Sequence, residues 1–84
     1  MDKVDITVLG PGCPNCIRLE NMCREAIVNI GVQASINKIT NYEQIADHGV
    51  FLTPGLIING KLVLSGKMPT RATLMNWIKT AAKE

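Results

Sequence analysis

Leu9-Gly10-Pro11-Gly12-Cys13-Pro14-Asn15-Cys16 is the stretch on which the reading of this chain turns. Upstream of it, Val4-Asp5-Ile6-Thr7-Val8-Leu9 alternates with period two and is rich in β-branched residues, so it reads as a strand. Gly10-Pro11-Gly12 interrupts that pattern. From Cys16 onward the apolar positions are 16, 19, 23, 26, 27 and 30, which is the spacing of a helix with one buried stripe, and Gly31 follows as its stop. The pair Cys13/Cys16 therefore lies at the mouth of a helix. Free N–H groups and the positive end of the helix dipole favour a thiolate there, so the Cys13 thiol is expected below the free value of about 8.5. Pro14 suits the first helical turn, where its missing N–H is not needed. Cys16, three residues on, lies over the same helix end, so the two sulfurs can close a disulfide with little backbone change. In a redox reading Cys13 is the exposed attacking thiol, and Cys16, on the buried stripe, is the resolving thiol. A structural cysteine pair or half of a zinc site is the competing reading. A structural zinc takes four ligands, and the further candidates are Cys23 and His48. Cys23 is one helical stretch of roughly 10 Å beyond Cys16, too far to share a tetrahedral site.

Working outward, Val32, Ala34 and Ile36 alternate with polar neighbours as a second strand. Thr40 and Glu43 have capping-box spacing ahead of a short helix through Ile45 and Ala46, closed by His48-Gly49. Leu56-Ile57-Ile58 and Leu62-Val63-Leu64 flank Asn59-Gly60, a strong signal for a two-residue hairpin. Thr70 is the expected N-cap of a last helix with Leu74, Trp77, Ile78 and Ala81 on its apolar stripe. The order β-α-β-α-β-β-α predicts one α/β domain over residues 1–84, with a parallel pair from the first crossover and an antiparallel hairpin. A four-stranded mixed sheet flanked by three helices is expected to bury both of its faces.

Composition limits what such a chain does. The 84 residues suffice for one domain, and 46% are hydrophobic, enough for a thin core when only about 60–65% of the unfolded surface is buried. A net charge of +2 without a basic cluster, and one each of Phe, Tyr and Trp, argue against nucleic-acid binding. No apolar run approaches membrane-spanning length. The start of the chain has no signal-peptide pattern, and three cysteines are too few for a secreted disulfide scaffold, so a reducing, cytoplasmic setting is expected. No cofactor motif is present, and the chain is expected to be a monomer.

The pair Gly12-Cys13-Pro14-Asn15-Cys16, with Thr53-Pro54-Gly55 opening the third strand and the Asn59-Gly60 hairpin, resembles the thioredoxin/glutaredoxin superfamily. Within it the chain is most similar to the small redox-active disulfide proteins, over nearly its whole length. The resemblance implies a thioredoxin-like fold with a cis Thr53–Pro54 bond lying against the cysteine pair. Thr53, Pro54 and Gly55 would then form the substrate-binding loop, the backbone at Thr53 pairing with an extended substrate segment as an added strand, and Pro54 keeping a metal from bridging the thiols. It also implies a dithiol–disulfide oxidoreductase acting on protein disulfides, with Cys13 and Cys16 catalytic, Gly12, Pro14 and Asn15 completing the active-site loop, and electrons supplied by a separate reductase or a small thiol. Two features depart from the family pattern. Thr7 stands where thioredoxins carry a buried acid, leaving the proton acceptor for Cys16 unassigned. Ser65-Gly66-Lys67-Met68 replaces the stretch by which glutaredoxins hold glutathione.

An alternative function is a module holding a soft ion, Cu(I) or Zn, through Cys13 and Cys16. Copper-chaperone domains have a Met two residues before the first cysteine, where this chain has Pro11. Of the remaining residues, Cys23 reads as a small buried hydrophobe, His48 as a residue favoured at a helix C-terminus, and Trp77 as core. Met68 is expected near the cysteine pair. Lys61, Lys67 and Arg71 read first as a solvated face, with a basic docking rim as the other option.

Overall fold

The computed structural model describes residues 3–83. Along the chain run β1 (Val4–Leu9), α1 (Pro14–Ile30), β2 (Ala34–Ile39), α2 (Tyr42–Asp47), β3 (Gly55–Ile58), β4 (Lys61–Ser65) and α3 (Arg71–Ala82). The sheet order is β2-β1-β3-β4. β1 pairs parallel with β2 and antiparallel with β3, and β3 pairs antiparallel with β4. This is the α/β architecture expected from the alternation of patterns, a mixed four-stranded sheet with three helices. Among the described residues no helix is long and apolar enough to cross a membrane.

The main core follows from the two periodicities meeting. Val4, Ile6 and Val8, alternate residues of β1, are buried on one face of the sheet. Leu19, Cys23 and Ala26 of α1 and Leu74, Ile78 and Ala81 of α3 join them in one cluster with Leu56 and Ile58. Trp77 is half-buried and packs onto this cluster, as do Ile27 and Ile30 at the end of the α1 stripe. The opposite face is covered only in part, which corrects the expectation that both faces are buried. There Leu9 packs with Ile45 of α2 and with Val50. At the other end Asp5 is exposed, its carboxylate accepting a hydrogen bond from Asn37 Nδ2 at 3.1 Å. The reason is length: the six residues of α2 span only about 9 Å.

Two local readings also change. The cap of α2 is Asn41, not Thr40: its Oδ1 accepts from the N–H groups of Glu43 and Gln44 at 2.8 and 3.1 Å. The strand after α1 begins at Ala34 instead of Val32, which packs against the core just ahead of it. Other stops stand where the sequence puts them. Gly31 ends α1 in the left-handed conformation at φ 79°, Thr70 Oγ1 caps α3 through Thr73 N–H, and His48 Nδ1 lies 2.8 Å from the Gln44 carbonyl at the end of α2.

Asn59 and Gly60 turn the β3–β4 hairpin with φ 51° and 80°, the left-handed pair that a tight two-residue turn demands. Asn59 also ties three elements together. Its Oδ1 accepts from Asp5 N–H at 2.9 Å, its own N–H donates to the Asp5 carbonyl at 2.7 Å, and its Nδ2 donates to the Ala81 carbonyl at 3.3 Å. Asn59→Ala loses both side-chain bonds and replaces a residue that tolerates the left-handed region with one that does so poorly, so it should destabilise the fold by about 2 kcal/mol, read as a lowered urea midpoint. Cys23 gives a second test. It is 0% exposed, and burial pushes its thiol up to about 12. The folded protein thus keeps a proton that the unfolded chain gives up near its ordinary value of 9.0. The stability this contributes is complete below that pH and is lost as pH rises through the folded value. Unfolding free energy should therefore fall more steeply above pH 9 in the wild type than in Cys23→Ala; equal slopes would contradict the assignment.

Candidate active site

Cys13 and Cys16 are joined in a disulfide with their Cα atoms 5.0 Å apart. The helix explains the spacing. Cys13 is the N-cap of α1, in extended conformation at φ −65° and ψ 162°, and Pro14 occupies the first turn. Cys16 N–H, one of the donors left unpaired at a helix start, points at Cys13 Sγ at 3.2 Å. That N–H is placed to stabilise a thiolate at Cys13 once the disulfide opens. Exposure separates the two sulfurs: Cys13 is half-exposed, whereas Cys16 is buried at 4%. Gly12, at φ 96°, makes the turn from the end of β1 into the helix in a region that L side chains rarely adopt.

The close approach that holds the pair in place is at Gly10, a residue the sequence reading treated only as a strand breaker. A β-carbon built there would collide with Cys16 Sγ and lie 2.9 Å from Cys16 Cβ, and it would stand 3.9 Å from Thr53 Cβ. Gly10 is thus the point at which the end of β1, the buried cysteine and the Thr53 loop meet. The only sequence signal for it was the small residue directly after the strand. Gly10 N–H is held by the Ile39 carbonyl of β2 at 2.9 Å.

The Thr53–Pro54 peptide bond is cis. Thr53 is half-buried; Pro54 and Gly55 are buried at the start of β3. Gly66 N–H donates to the Pro54 carbonyl at 2.8 Å, which ties the loop to the end of β4. Asn15 is exposed in the first turn of α1. Beside the pair, a cleft of about 510 Å³ runs between α1 and the start of α3, lined by Pro14, Ile17, Arg18, Met22, Met68 and Pro69 among others. Met68 shares this cleft with Pro14, the residue that follows Cys13. The three basic residues do not form one rim: Arg71 faces this cleft and lies 3.6 Å from Glu25, while Lys61 stands at the opposite end of β4, next to the hairpin turn. Cys23 lies deeper in α1, within the core, away from the mouth of the helix. Among the described residues no group of three or more His, Cys, Asp or Glu side chains is gathered as a metal site.

Residues 4–79 match the sequence profile of the family described as thioredoxin domain. A thioredoxin of Methanothermobacter thermautotrophicus is 36% identical over 66 residues, covering 79% of this chain and 86% of that protein. A thioredoxin of Methanocaldococcus jannaschii is 32% identical over 77 residues, covering 92% of this chain and 88% of that protein. With its disulfide at the mouth of α1 and the matched region running through every strand and most of α3, this chain belongs to the thioredoxin domain family.

Proposed function

We propose that the two cysteines of this dithiol–disulfide oxidoreductase divide the work by exposure: Cys13 attacks, and Cys16 resolves. The observation that carries this is the asymmetry at the helix mouth. Cys13 is half-exposed and receives the Cys16 N–H, while Cys16 is buried beneath it. In the reducing direction the Cys13 thiolate attacks one sulfur of a substrate disulfide. A mixed disulfide forms, and the other substrate sulfur leaves as a thiolate that takes a proton from water. The Cys16 thiolate then attacks Cys13 Sγ, the bond to the substrate breaks, and the second substrate thiolate is released. Two electrons have passed from the Cys13/Cys16 dithiol to the substrate.

Protein disulfides are the substrates of such a site, and a separate reductase restores the dithiol; a small thiol is the other candidate donor. We assign Thr53, Pro54 and Gly55 to substrate binding and Gly12, Pro14 and Asn15 to the loop that shapes the pair. Among the described residues neither the N–H nor the C=O of Thr53 is engaged by the sheet, which leaves that backbone available to an extended substrate segment. The chain acts as one domain and as a monomer in this reading, in a reducing, cytoplasmic setting that suits its three cysteines.

Trapping tests the division of labour. With Cys16→Ser, a small aromatic disulfide or a disulfide-bonded protein should yield a stable adduct through Cys13, seen by intact mass and lost on adding reductant. With Cys13→Ser, adduct formation should be slower by at least about tenfold, because the buried thiol is hard to reach. Adducts that form equally fast through either cysteine would overturn the assignment.

A further inference from the structure

The family's buried acid is absent here, since Thr7 occupies its place, yet the resolving step still needs a thiolate at Cys16. On the side of Cys16 facing β2 lies a small recess of about 30 Å³. Cys16 and Glu20 of α1 border it together with Val8, Gly10, Lys38 and Thr40. Glu20 follows Cys16 by one helical turn, on the same face. Its side chain is 14% exposed and both of its oxygens are occupied. Arg24 Nη2 takes Oε2 at 2.8 Å, and Lys38 Nζ of β2 lies 3.3 Å from Oε1.

A carboxylate held this way is a poor proton acceptor. The hydrogen bond from Arg24 is the largest influence holding Glu20 below the usual carboxylate range, with Lys38 acting in the same direction and burial opposing them. Glu20 therefore remains an anion and serves as an anchor. Glu20 and Lys38 meet as an ion pair at the recess, and Arg24, which does not line it, holds the other carboxylate oxygen; without Lys38 the anion one turn from Cys16 would keep only a partner outside the recess. Among the described residues lining the recess the charged groups are Glu20 of α1, with Arg24 on its other oxygen, and Lys38 of β2; Cys13 is bonded to Cys16 itself, and Val8 and Gly10 of β1 and the nearby Thr53 bring no charge.

We propose that Lys38, anchored by Glu20 at the recess beside Cys16, is a positioning charge that stabilises the Cys16 thiolate as it forms to resolve the mixed disulfide. The Cys16 proton leaves to water through the recess. The thiolate then displaces the substrate thiolate from Cys13 as balanced above. This rests on Cys16 being the resolving thiol, but the charge effect on Cys16 is measurable apart from that role.

The test is a titration of Cys16 in the Cys13→Ser background, followed by thiolate absorbance and checked by circular dichroism for an intact fold. The side chain of Lys38 is 55% exposed, so Lys38→Met should leave the fold in place, and the effect should have the size of a partly screened charge. Lys38→Met is expected to raise the Cys16 midpoint by about 0.5 pH unit at low ionic strength, about threefold less thiolate at a given pH. Lys38→Arg should restore it, and 1 M salt should erase the difference. In the protein with both cysteines, Lys38→Met should slow release of the mixed disulfide about threefold while leaving its formation rate unchanged. A Cys16 midpoint that does not move in Lys38→Met overturns the proposal. Failure of Cys16→Ser to trap an adduct would instead overturn the resolving role, whatever the titration shows.

Discussion

Leu19, Cys23 and Ala26 of α1 lie against Val4, Ile6 and Val8 of β1, with Leu74 and Ile78 of α3 closing the same cluster. Each fully buried Val, Leu or Ile side chain among them contributes about 1.5–3 kcal/mol, so the seating of α1 across β1 is strongly specified. That seating determines where the helix begins. The strand ends at Leu9 and the helix starts at Pro14, leaving only four residues to make the turn, and Cys13 is the last of them. The position of the reactive sulfur is thus set by packing some way from it. Gly10 completes the constraint, because only a residue without a β-carbon lets β1 pass this close to Cys16.

Electrostatics at the site is organised on two sides of the pair. On the solvent side, the helix start presents the Cys16 N–H to Cys13. On the β2 side, Arg24 and Lys38 surround Glu20 near the recess beside Cys16. The parallel crossover explains the second arrangement. Because β2 returns alongside β1 in register, Val8 opposite Lys38, the end of β2 comes up beside the first turns of α1. A lysine there is within reach of a glutamate one turn beyond the cysteine.

What was legible beforehand is what depends on residues near one another in sequence. The cysteine pair with its proline, the Asn59-Gly60 turn, the Gly31 stop and the Thr70 cap each carry their own backbone or hydrogen-bond requirement, and each appears at its expected place. The α2 cap was misread because Thr40 and Asn41 are adjacent and both are good caps; the one-residue difference was decided by which oxygen reaches two amides. The half-open second face could not be read, because the pattern tells which residues are apolar but not how far a six-residue helix extends. Gly10 and the Glu20–Lys38 pair were hidden for a related reason: each matters through a neighbour supplied by tertiary packing. For Glu20, that neighbour is eighteen positions away along the chain and arrives only by way of the crossover.

The shortness of the ring closed by Cys13 and Cys16 has a consequence for recognition. A covalent loop this small removes little freedom from an unfolded chain compared with a long one, and it encloses only the first turn of a helix whose seat lies further along, at Leu19, Cys23 and Ala26. The packing that seats α1 therefore lies outside the ring that opens and closes. A protein that must tell a charged carrier from a spent one has no rearranged domain to read. It has two sulfur atoms and their immediate surface, so discrimination between the states falls to the chemistry of the exchange itself and not to a change of docking face.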